Sequence, residues 1–443
     1  MKIELPSYAK QIISRLNENG FEAFAVGGCV RDAVIGKAPK DWDITTSALP
    51  AQVKEVFGDS TVALTGIKHG TVTVVYQNIP VEVTTYRIDG EYSDNRHPEE
   101  VCFTASLEED LKRRDFTMNT ICCNACGEVT DLFDGAGDIK RGLIRAVGNP
   151  EKRFCEDALR IMRAIRFSSV LGFEIEEETA NAVHKCKSLL KNISSERIAS
   201  ELNKLLTGDY IENVLTKFPD VLFEIIPELH PEYNFAQHNP HHKYDVWTHT
   251  VKAVSSSENN LYLRLALLFH DIGKPHTFSV GADGVGHFYG HAAKSTEIAR
   301  TVLNRLKYDN RTKNTVLALV KYHDLQIIPE PKYVKRFISK AGEETFLLLL
   351  KVKYGDICGQ GTFIDDKRRA LEDLLAVYNE IKKNDECLSL KTLAVNGRDL
   401  IEAGITDGIL IGRVLDELLK EVINGKLDNK KDSLLKFAKS LVK

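Results

Sequence analysis

Two aspartates separated by one residue, Asp41 and Asp43, are the first candidates for chemistry in this sequence. Alternate side chains of an extended strand point to the same face, so the two carboxylates would lie side by side and repel each other. A divalent cation between them removes that repulsion, and hard oxygen ligands favour Mg²⁺. We predict a magnesium site there. Glu82 is a candidate third carboxylate, with an exposed position on the sheet surface as the alternative.

A phosphate-binding turn is predicted just before these aspartates. Gly27 and Gly28 would let a phosphate approach the backbone, and the residues after them predict a helix whose N-terminus favours an anion. Arg31 would face that anion. Arg114 is a second candidate for phosphate binding, with an ordinary surface charge pattern as the alternative. Residues 25–45 therefore predict a cradle for a metal ion and a triphosphate.

A helix rich in arginine, Glu156 to Arg166, offers groups that could read a base. Asp157 and Arg160 are three residues apart and share a helix face. Asp accepts and Arg donates, so the pair suits cytosine and adenine, which place an amino donor beside a ring-nitrogen acceptor. An intrahelical salt bridge is the alternative. On one ideal helix Arg166 points away from Asp157 and Arg163 is intermediate. A common ligand would therefore need Asp157 at the helix start or a long ligand.

Most histidines lie between residues 239 and 361, where they accompany carboxylates. His270 and Asp271 are adjacent at the end of an apolar helix, with His249 before them and Asp356 after them. Neutral imidazoles and carboxylates are good ligands for transition metals. We predict a divalent transition-metal site at His249, His270, Asp271 and Asp356, with Lys274 beside it for a phosphate. Scattered surface histidines are the alternative.

The composition indicates a soluble globular chain of about three domains. It has 443 residues, 43% hydrophobic and 28% charged, with a formal net charge of −4. An acidic total argues against a globally basic nucleic-acid binder, so RNA binding would depend on local patches. No apolar run approaches the length of a membrane span, and the N-terminus lacks a signal-peptide pattern. We expect a cytoplasmic protein that is not membrane-bound; its oligomeric state is not indicated.

Nine cysteines are scattered along the chain, and Cys122, Cys123 and Cys126 form their only cluster. One Cys-x-x-Cys without a partner pair is weak support for zinc. We expect these cysteines to be small buried residues of a strand.

The first 145 residues predict the elements that would position these groups. Gly20 should end a helix from Tyr8 to Asn19. Four strands follow, the last two joined by a loop at Gln77–Pro80: Glu22–Val26, Asp41–Thr45, Thr71–Tyr76 and Val81–Tyr86. They predict a mixed sheet with helices. The polar stretch Arg87–Pro98 predicts a functional loop beside that sheet.

The later residues predict mainly helices, including one at Leu261–Phe269. A set of basic residues near the C-terminus is a candidate surface for a phosphate backbone, with a solvated lysine-rich tail as the alternative. Its members are Lys332, Lys335, Arg336, Lys340, Lys426, Lys430, Lys431, Lys436, Lys439 and Lys443.

These motifs together resemble bacterial class II tRNA nucleotidyltransferases, the CCA-adding enzymes of the polymerase-β-like superfamily. The motifs that carry the resemblance are Gly27-Gly28-x-Val30-Arg31-Asp32, Asp41-x-Asp43, Arg113 to Asn119, and Glu156-Asp157-x-x-Arg160. The stretch Asp94-x-Arg96-His97-Pro98 resembles the flexible loop of that family, and Ser195–Ile198 resembles a further neck motif. The His-Asp region resembles an embedded HD-type phosphohydrolase domain.

The resemblance implies an α+β fold with a polymerase-β-like nucleotidyltransferase head, followed by all-helical neck, HD and tail domains. The implied domains are the head at 1–145, a base-reading neck and body at 146–238, the HD domain at 239–361 and a tRNA-binding tail at 362–443. It implies template-independent addition of C, C and A to the 3′ end of tRNA from CTP and ATP. Asp115 would orient other groups rather than bind metal.

Site roles follow from the same resemblance. Asp41 and Asp43 would hold Mg²⁺. The nucleotide would be bound by a set of seven residues: Gly28, Arg31, Arg114, Asp157, Arg160, Arg163 and Arg166.

Three rival interpretations remain open from the sequence. One is an A-only tRNA nucleotidyltransferase or a poly(A) polymerase, although Gly66–Val72 fits tRNA enzymes better. In the second, the HD domain is the main enzyme and the head binds RNA, with His291 and His323 as candidates for a second metal or for phosphate contacts. In the third, the HD domain is a vestigial structural element.

Overall fold

The computed structural model describes residues 1–58, 62–63, 70–89, 101–240, 242–282, 284–362, 364–384 and 386–442. The chain forms two compact units, Met1–Pro227 and Glu228–Lys443. A mixed sheet lies in the first unit and the remainder is mainly helical, which confirms the predicted α+β class. The predicted division of the chain into four domains stays a prediction. Among the described residues, no helix is both long and apolar enough to cross a membrane.

The sheet of the first unit has seven strands in the order β3-β4-β5-β2-β1-β8-β9. Its strands are β1 Ala23–Val26, β2 Ile44–Thr46, β3 Val62–Ala63, β4 Thr71–Tyr76, β5 Ile79–Thr85, β8 Cys122–Cys123 and β9 Val129–Thr130. Within the described part of this sheet only the β2–β5 pair is parallel, so the sheet is mixed as predicted. Short pairs outside it join β6 Arg87–Asp89 to β7 Val101–Phe103, β10 Leu143–Ile144 to β11 Glu174–Ile175, and β12 Ser279–Val280 to β13 Gly286–His287.

The hairpin of β4 and β5 turns on two residues, not on the four predicted. Gln77 and Asn78 both have positive φ, 51° and 65°, which suits a tight two-residue hairpin turn. Ile79 and Pro80 therefore already pair with β4. Downstream, Arg87–Asp89 forms a strand where a loop was expected, and residues 90–100 lie outside the described part.

The strand predicted at Asp41–Thr45 begins only at Ile44. Its neighbour β1 ends at Val26, where Gly27 turns the chain into a helix. The Val26 N–H still donates to the Asp43 carbonyl at 3.0 Å, but the regular β1–β2 pairing starts only at Ala25 and Ile44. Trp42 is nonetheless buried while Asp41 and Asp43 are exposed. This alternation puts the two carboxylates on one side, as the sequence predicted.

The helices of the first unit pack against the head sheet and then continue into the neck. They are α1 Ser7–Glu18, α2 Gly28–Ile35, α3 Pro50–Phe57, α4 Leu107–Lys112, α5 Gly135–Arg141, α6 Pro150–Glu156, α7 Leu159–Leu171, α8 Glu177–Cys186, α9 Ser195–Leu206, α10 Ile211–Lys217 and α11 Pro219–Ile225. Helix α4 packs on the face of the sheet opposite to α1. The single helix predicted at Glu156–Arg166 is wrong. Asp157 is extended, with φ −135° and ψ 102°, and separates α6 from α7.

The second unit is an assembly of helices. Its members are α12 Val246–Ser255, α13 Leu261–Phe269, α14 Lys274–Thr277, α15 His291–Arg305, α16 Asn310–Tyr322, α17 Pro331–Ala341, α18 Glu343–Gln360, α19 Ile364–Lys383, α20 Gly397–Glu402, α21 Gly408–Ile423 and α22 Lys431–Leu441. The bounds predicted for α13 match. Gly359 of α18 brings that helix close to α12, because a Cβ there would lie 2.8 Å from His249 Nδ1.

Gly135 offers a test of this packing. A Cβ at this position would lie 2.2 Å from the Thr117 carbonyl oxygen, so Gly135→Ala must displace the short 3₁₀ turn Thr117–Asn119. We expect the free energy of unfolding to fall by about 1–3 kcal/mol, the range for overpacking, in denaturant titrations followed by circular dichroism. Gly412→Ala is the control, because nothing lies within 4 Å of its Cβ position on α21. An unchanged stability in Gly135→Ala would contradict the close contact.

Candidate functional site

Three carboxylates, Asp41, Asp43 and Glu82, are close enough to interact beside the neighbouring strands β2 and β5 of the head sheet. Ile44 pairs with Val83 in the parallel β2–β5 ladder. Asp43 and Glu82 are the residues directly before this pair, so they are neighbours across the two strands. Burial, then the negative charges of Asp41 and Glu82, raise the pKa of Asp43 to about 6, against the opposing effect of Arg114. Carboxylates that disfavour one another's ionisation make a suitable site for a divalent cation. Glu82 thus contributes to the candidate metal site by its charge.

The glycine turn lies directly against an arginine. Gly27 has φ +84° and caps α2, and a Cβ on it would lie 3.1 Å from Arg114 Nη1. The Nε atom of Arg114 is buried and has no hydrogen-bond partner within the described residues. A helix N-terminus and a guanidinium with unused donor capacity make a suitable site for an anion. This arrangement fits the predicted triphosphate cradle at Gly28 and Arg114.

Arg114 is held in place by a fully buried acid that the sequence reasoning missed. Asp110 bonds to both Arg113 and Arg114 and accepts a 3.1 Å hydrogen bond from Thr45 Oγ1 on β2. Burial opposes ionisation of Asp110, but the two guanidinium groups outweigh it and lower its pKa. Asp110 therefore fixes the arginine pair to the strand that follows Asp43.

Arg31 points inward from α2 and is nearly buried. It donates to Asp32 Oδ1, and its Nη1 donates to Asn119 Oδ1 at 2.9 Å. Asn119 in turn donates to Asp115 Oδ1 at 2.9 Å. A chain of hydrogen bonds thus connects the glycine helix to the Arg-Arg-Asp motif.

The contacts of Asp115 support the orienting role that the resemblance implied, which stays a prediction. Its Oδ2 accepts from Arg163 Nε at 2.7 Å and from Arg163 Nη2 at 2.6 Å, a two-point ion pair. Burial opposes ionisation, yet Arg163 and Asn119 hold the pKa of Asp115 far below its usual range. Both oxygens are occupied, so Asp115 positions Arg163 between head and neck.

The predicted base-reading pair is not a salt bridge. Asp157 Oδ1 accepts from the Leu159 backbone N–H, and Oδ2 accepts from Arg197 Nη2 at 3.0 Å. Arg160 instead bonds to Glu156 and to the Arg113 carbonyl. The intrahelical alternative is therefore excluded. Asp157 also lies before α7, which is the position that the geometric argument from the sequence required.

A buried phenylalanine gathers three of the predicted arginines. The guanidinium carbons of Arg166, Arg31 and Arg163 lie 3.7, 4.9 and 5.4 Å from the centroid of the Phe167 ring. Arg166 is further held by Glu201 of α9 at 2.9 Å. Cations over an aromatic face are attracted to its negative quadrupole. Phe167 therefore lets three like charges approach one another.

The sequence predicted the site arginines and Asp157 but not the residues that hold them in place. Asn119, Phe167, Arg197 and Glu201 each contact a predicted site residue. Arg197 and Glu201 are four residues apart on α9, and the neck motif at Ser195–Ile198 was the available signal for them. The long sequence separations, such as 40 residues between Asp157 and Arg197, hide these pairs from local patterns.

Histidines and acids of the second unit form a buried cluster. The Nε2 atoms of His249 and His270 are 2.9 Å apart, and His249 Nε2 lies 3.2 Å from both Asp271 Oδ2 and Asp356 Oδ1. Lys274 Nζ lies 2.7 Å from Asp271 Oδ2. These groups are contributed by α12, α18 and the turn after α13. Scattered surface histidines, the alternative, are thereby excluded.

The cluster opens into a cavity of about 280 Å³ that is lined by polar groups. His291 and His323 lie on its wall, with Nε2 atoms 3.1 Å apart. His242 also lines the cavity; burial and then the nearby Lys274 lower its pKa to about 3. The cavity is large enough for a phosphate ester beside the ligand groups.

Several predicted features behave differently or lie outside the description. Cys122 and Cys123 are buried and Cys126 is exposed, and all three are free thiols. Residues 64–69 and the loop with Arg96 and His97 are outside the described part. Many lysines of the basic tail bond to acids, as in the pairs Lys335–Glu386, Lys426–Glu421 and Lys430–Asp428. Lys426 and Lys430 are exposed, as the alternative of a solvated tail expects, whereas Lys335 is buried and paired with Glu386.

Family models match three parts of the chain. The poly(A) polymerase head domain matches residues 23–145, the RNA- and SrmB-binding site of polymerase A matches 172–232, and domain 2 of tRNA nucleotidyltransferases matches 288–438.

The similarity to known proteins extends over nearly the full length. A CCA-adding enzyme of Ligilactobacillus salivarius is 34% identical over 98% of this chain and 96% of its own, and one of Lactobacillus helveticus is 36% identical over 98% and 96%.

Solved structures agree with these matches. The CCA-adding enzyme of Bacillus stearothermophilus, crystallised with CTP, is 31% identical, covers 98% of this chain and 97% of its own, and gives a TM-score of 0.71. The Thermotoga maritima CCA-adding enzyme complexed with tRNA is 20% identical, covers 98% and 94%, gives a TM-score of 0.58, and shows the fold alone. The chain belongs to the family of CCA-adding enzymes.

Proposed function

We propose that this protein adds C, C and A to the 3′ end of tRNA, using CTP and ATP and releasing pyrophosphate. Relatives that match this chain over nearly their whole length are named CCA-adding enzymes, and one of them is crystallised with CTP. Three carboxylates lie beside the glycine turn and Arg114. This arrangement supports a site for a nucleotide with its metal ion. An acid and three arginines at the neck support a site for its base.

Enzymes of this family use a divalent metal ion, and we assign Mg²⁺ to Asp41 and Asp43. The raised pKa of Asp43 supports this assignment, because burial and then the neighbouring charges of Asp41 and Glu82 disfavour its ionisation, and a cation would offset both effects. When bound, the ion would activate the terminal tRNA hydroxyl and offset charge on the phosphates. The chain itself would hold the triphosphate through Gly28, Arg31 and Arg114. The hydroxyl attacks the α-phosphate, and the bond to pyrophosphate breaks.

We assign the choice of base mainly to Asp157. Its carboxylate only accepts hydrogen bonds when ionised, and its place before α7 turns it away from the register of that helix. An amino group of cytosine or adenine can donate to it, whereas the carbonyl oxygens of uracil and guanine would repel it. Arg160, Arg163 and Arg166 follow on α7 and complete the proposed site. The alternative product, A alone or a poly(A) tail, shares these residues and is separated by experiment.

A second activity is proposed for the histidine cluster. Four groups, His249, His270, Asp271 and Asp356, converge within about 3–4 Å in a buried site beside a polar cavity. Imidazoles with carboxylates suit a divalent transition metal, and Lys274 adds a cation for a phosphate. The proposed reaction is metal-dependent hydrolysis of phosphate esters at damaged RNA ends. A purely structural role is the competing interpretation.

Asp41→Ala should abolish nucleotide incorporation, because one carboxylate of the proposed metal site is lost. The assay incubates the protein with tRNA lacking its last three nucleotides and with each labelled nucleotide in turn, and it reads product length on a sequencing gel. The unchanged protein should add three residues and stop. Glu55→Ala, which removes an exposed carboxylate from α3, should retain activity. Addition of A alone, or of a long tail, would reject the proposed product, and an active Asp41→Ala would reject the metal assignment.

Asp157→Ala should relax nucleotide choice more than it slows transfer. We expect the preference for CTP over UTP in kcat/KM to fall by about ten- to hundredfold, the value of one or two hydrogen bonds. Asp157 also caps α7, so Asn149→Ala is the matched control: Asn149 caps α6 by accepting from the Lys152 N–H but is not placed near a base. Unaltered selectivity in Asp157→Ala would refute base reading by this acid.

His270→Ala should abolish release of phosphate from an RNA that ends in a 2′,3′-cyclic phosphate, while leaving CCA addition intact. Metal content of the purified protein should fall in parallel. His276→Ala, which changes an exposed histidine of α14, should leave both measurements unchanged. A wild-type protein without bound transition metal and without hydrolysis would support the structural role instead.

A further inference from the structure

We propose that Tyr289, an exposed tyrosine at the wall of the polar cavity, binds the base of a nucleotide whose phosphate lies beside Lys274. The proposal deepens the second activity proposed above. It rests on that activity for the place of the phosphate, and it names the substrate class as a nucleotide, either free or at the end of an RNA. Both residues line the same cavity as Asp271.

The ring of Tyr289 is supported by a second aromatic ring and is otherwise open. It stacks on the His287 ring with centroids 5.2 Å apart and an angle of 13° between the two planes. Tyr289 nevertheless keeps 78% of its surface exposed. Two parallel rings limit each other's rotation, so little conformational freedom is lost when a third ring joins the stack. Any nucleobase can add to such a ring, because every base has a π face.

The hairpin that carries these two rings is fixed to the segment that also fixes Lys274. Gly286 of β13 lies against this segment, since a Cβ there would be 2.2 Å from the Gln237 carbonyl oxygen. The Gly286 N–H donates to the His238 carbonyl oxygen at 2.7 Å. The side-chain oxygen of Gln237 accepts from Lys274 Nζ at 2.8 Å. One short segment therefore sets the separation between the ring stack and the lysine.

Phe288 shows that this separation is small. It lies between the two stacked residues in sequence, and its ring centroid is 5.2 Å from Lys274 Nζ. The same ring packs on Phe278 with centroids 5.5 Å apart, which holds it in place. The lysine and the residue with the open ring are thus both neighbours of one fixed side chain. This spacing fits one nucleotide that uses both groups better than two separate ligands.

A surface tyrosine by itself would need no ligand, because folded proteins commonly expose apolar atoms. Tyr289 differs in having a parallel partner ring, a place on a cavity wall and a fixed relation to a cation. A site of this kind binds through stacking and charge and has no means of reading base edges. It should therefore accept any terminal base, in contrast to the site proposed around Asp157.

The first experiment locates the base by photochemical crosslinking. A short RNA that ends in 5-bromouridine 3′-phosphate, and separately the free nucleotide 5-bromouridine 3′-monophosphate, are irradiated with the whole chain in the presence of a chelator. A bromouracil that stacks on an aromatic side chain forms an adduct with it, so mass spectrometry of the digested protein should find the adduct on Tyr289. No adduct on Tyr289 or His287 with either probe would overturn the proposal.

The two probes also distinguish the two sources of the nucleotide. An adduct formed by the RNA alone would identify an RNA end as the ligand, whereas an adduct formed by the free nucleotide would show that one nucleotide is sufficient. Either adduct supports stacking on Tyr289. The chelator removes metal-dependent hydrolysis, so the result does not depend on that activity.

The second experiment uses variants of the ring. Tyr289→Leu keeps an apolar side chain but removes the π face, so KM for RNA ending in a 2′,3′-cyclic phosphate should rise by about ten- to hundredfold, the range for loss of one stacked base. The loss should fall on KM rather than on kcat, because the ring does not reach the reacting phosphate. Tyr289→Phe should restore the original KM, and Val280→Ala, at another exposed position of the same hairpin, is the matched control.

The outcomes separate this proposal from the hydrolase on which it rests. An adduct on Tyr289 in a protein that releases no phosphate would reject the hydrolase and keep the base site. Phosphate release with the same KM in Tyr289→Leu, together with no adduct, would reject the base site and keep the hydrolase. If Tyr289→Leu fails to fold by circular dichroism, the crosslinking of the unchanged protein decides.

Discussion

Guanidinium groups can be gathered in one buried place only if each has an acid or an aromatic ring beside it, because burying an unpaired charge is strongly unfavourable. The candidate nucleotide site of this protein is built under that constraint. Asp110 holds Arg114, Asp115 holds Arg163, and Glu201 holds Arg166. The Asp115–Arg163 pair connects the head to the neck, the Glu201–Arg166 pair connects two neck helices, and Asp110 holds Arg114 from the preceding helix of the head.

The candidate metal sites obey the opposite requirement. At Asp43 and in the histidine cluster, acceptors and lone pairs converge with too few donors to satisfy them. In the cluster Asp271 has one lysine and four imidazole nitrogens around it, and the Nδ1 protons of three of those rings face backbone carbonyls. Arginines therefore accompany the substrate's negative charge, whereas facing carboxylates and imidazoles mark positions for a cation. The two kinds of site can be distinguished by whether hydrogen-bond donors or hydrogen-bond acceptors are in excess.

The sequence predicted most of what is local. Helix α13 has its predicted bounds because a continuous apolar run ends at the His-Asp turn, and the head elements lie within a few residues of their predicted ends. The errors occur where one element depends on another. The strand predicted from Asp41 begins only at Ile44, where its regular pairing with Ala25 of β1 starts, and the hairpin is shorter because Gln77 and Asn78 adopt positive φ. The site arginines carry their own signal, but Phe167, Asn119 and Glu201 matter through contacts that only the folded chain creates.

The break at Asp157 shows how such a contact changes a conclusion about specificity. On a continuous helix, the 100° step would have prevented Asp157 and Arg166 from sharing a ligand. Because Asp157 is extended, its carboxylate is positioned by Arg197 of α9 together with the first N–H of α7. The spacing of α7 and α9 is in turn set where Gly208 meets Ser169, whose Oγ bonds to the Leu205 carbonyl. The proposed reading of the base therefore depends on how two neck helices pack, and a protein surface held in this way can replace a template strand.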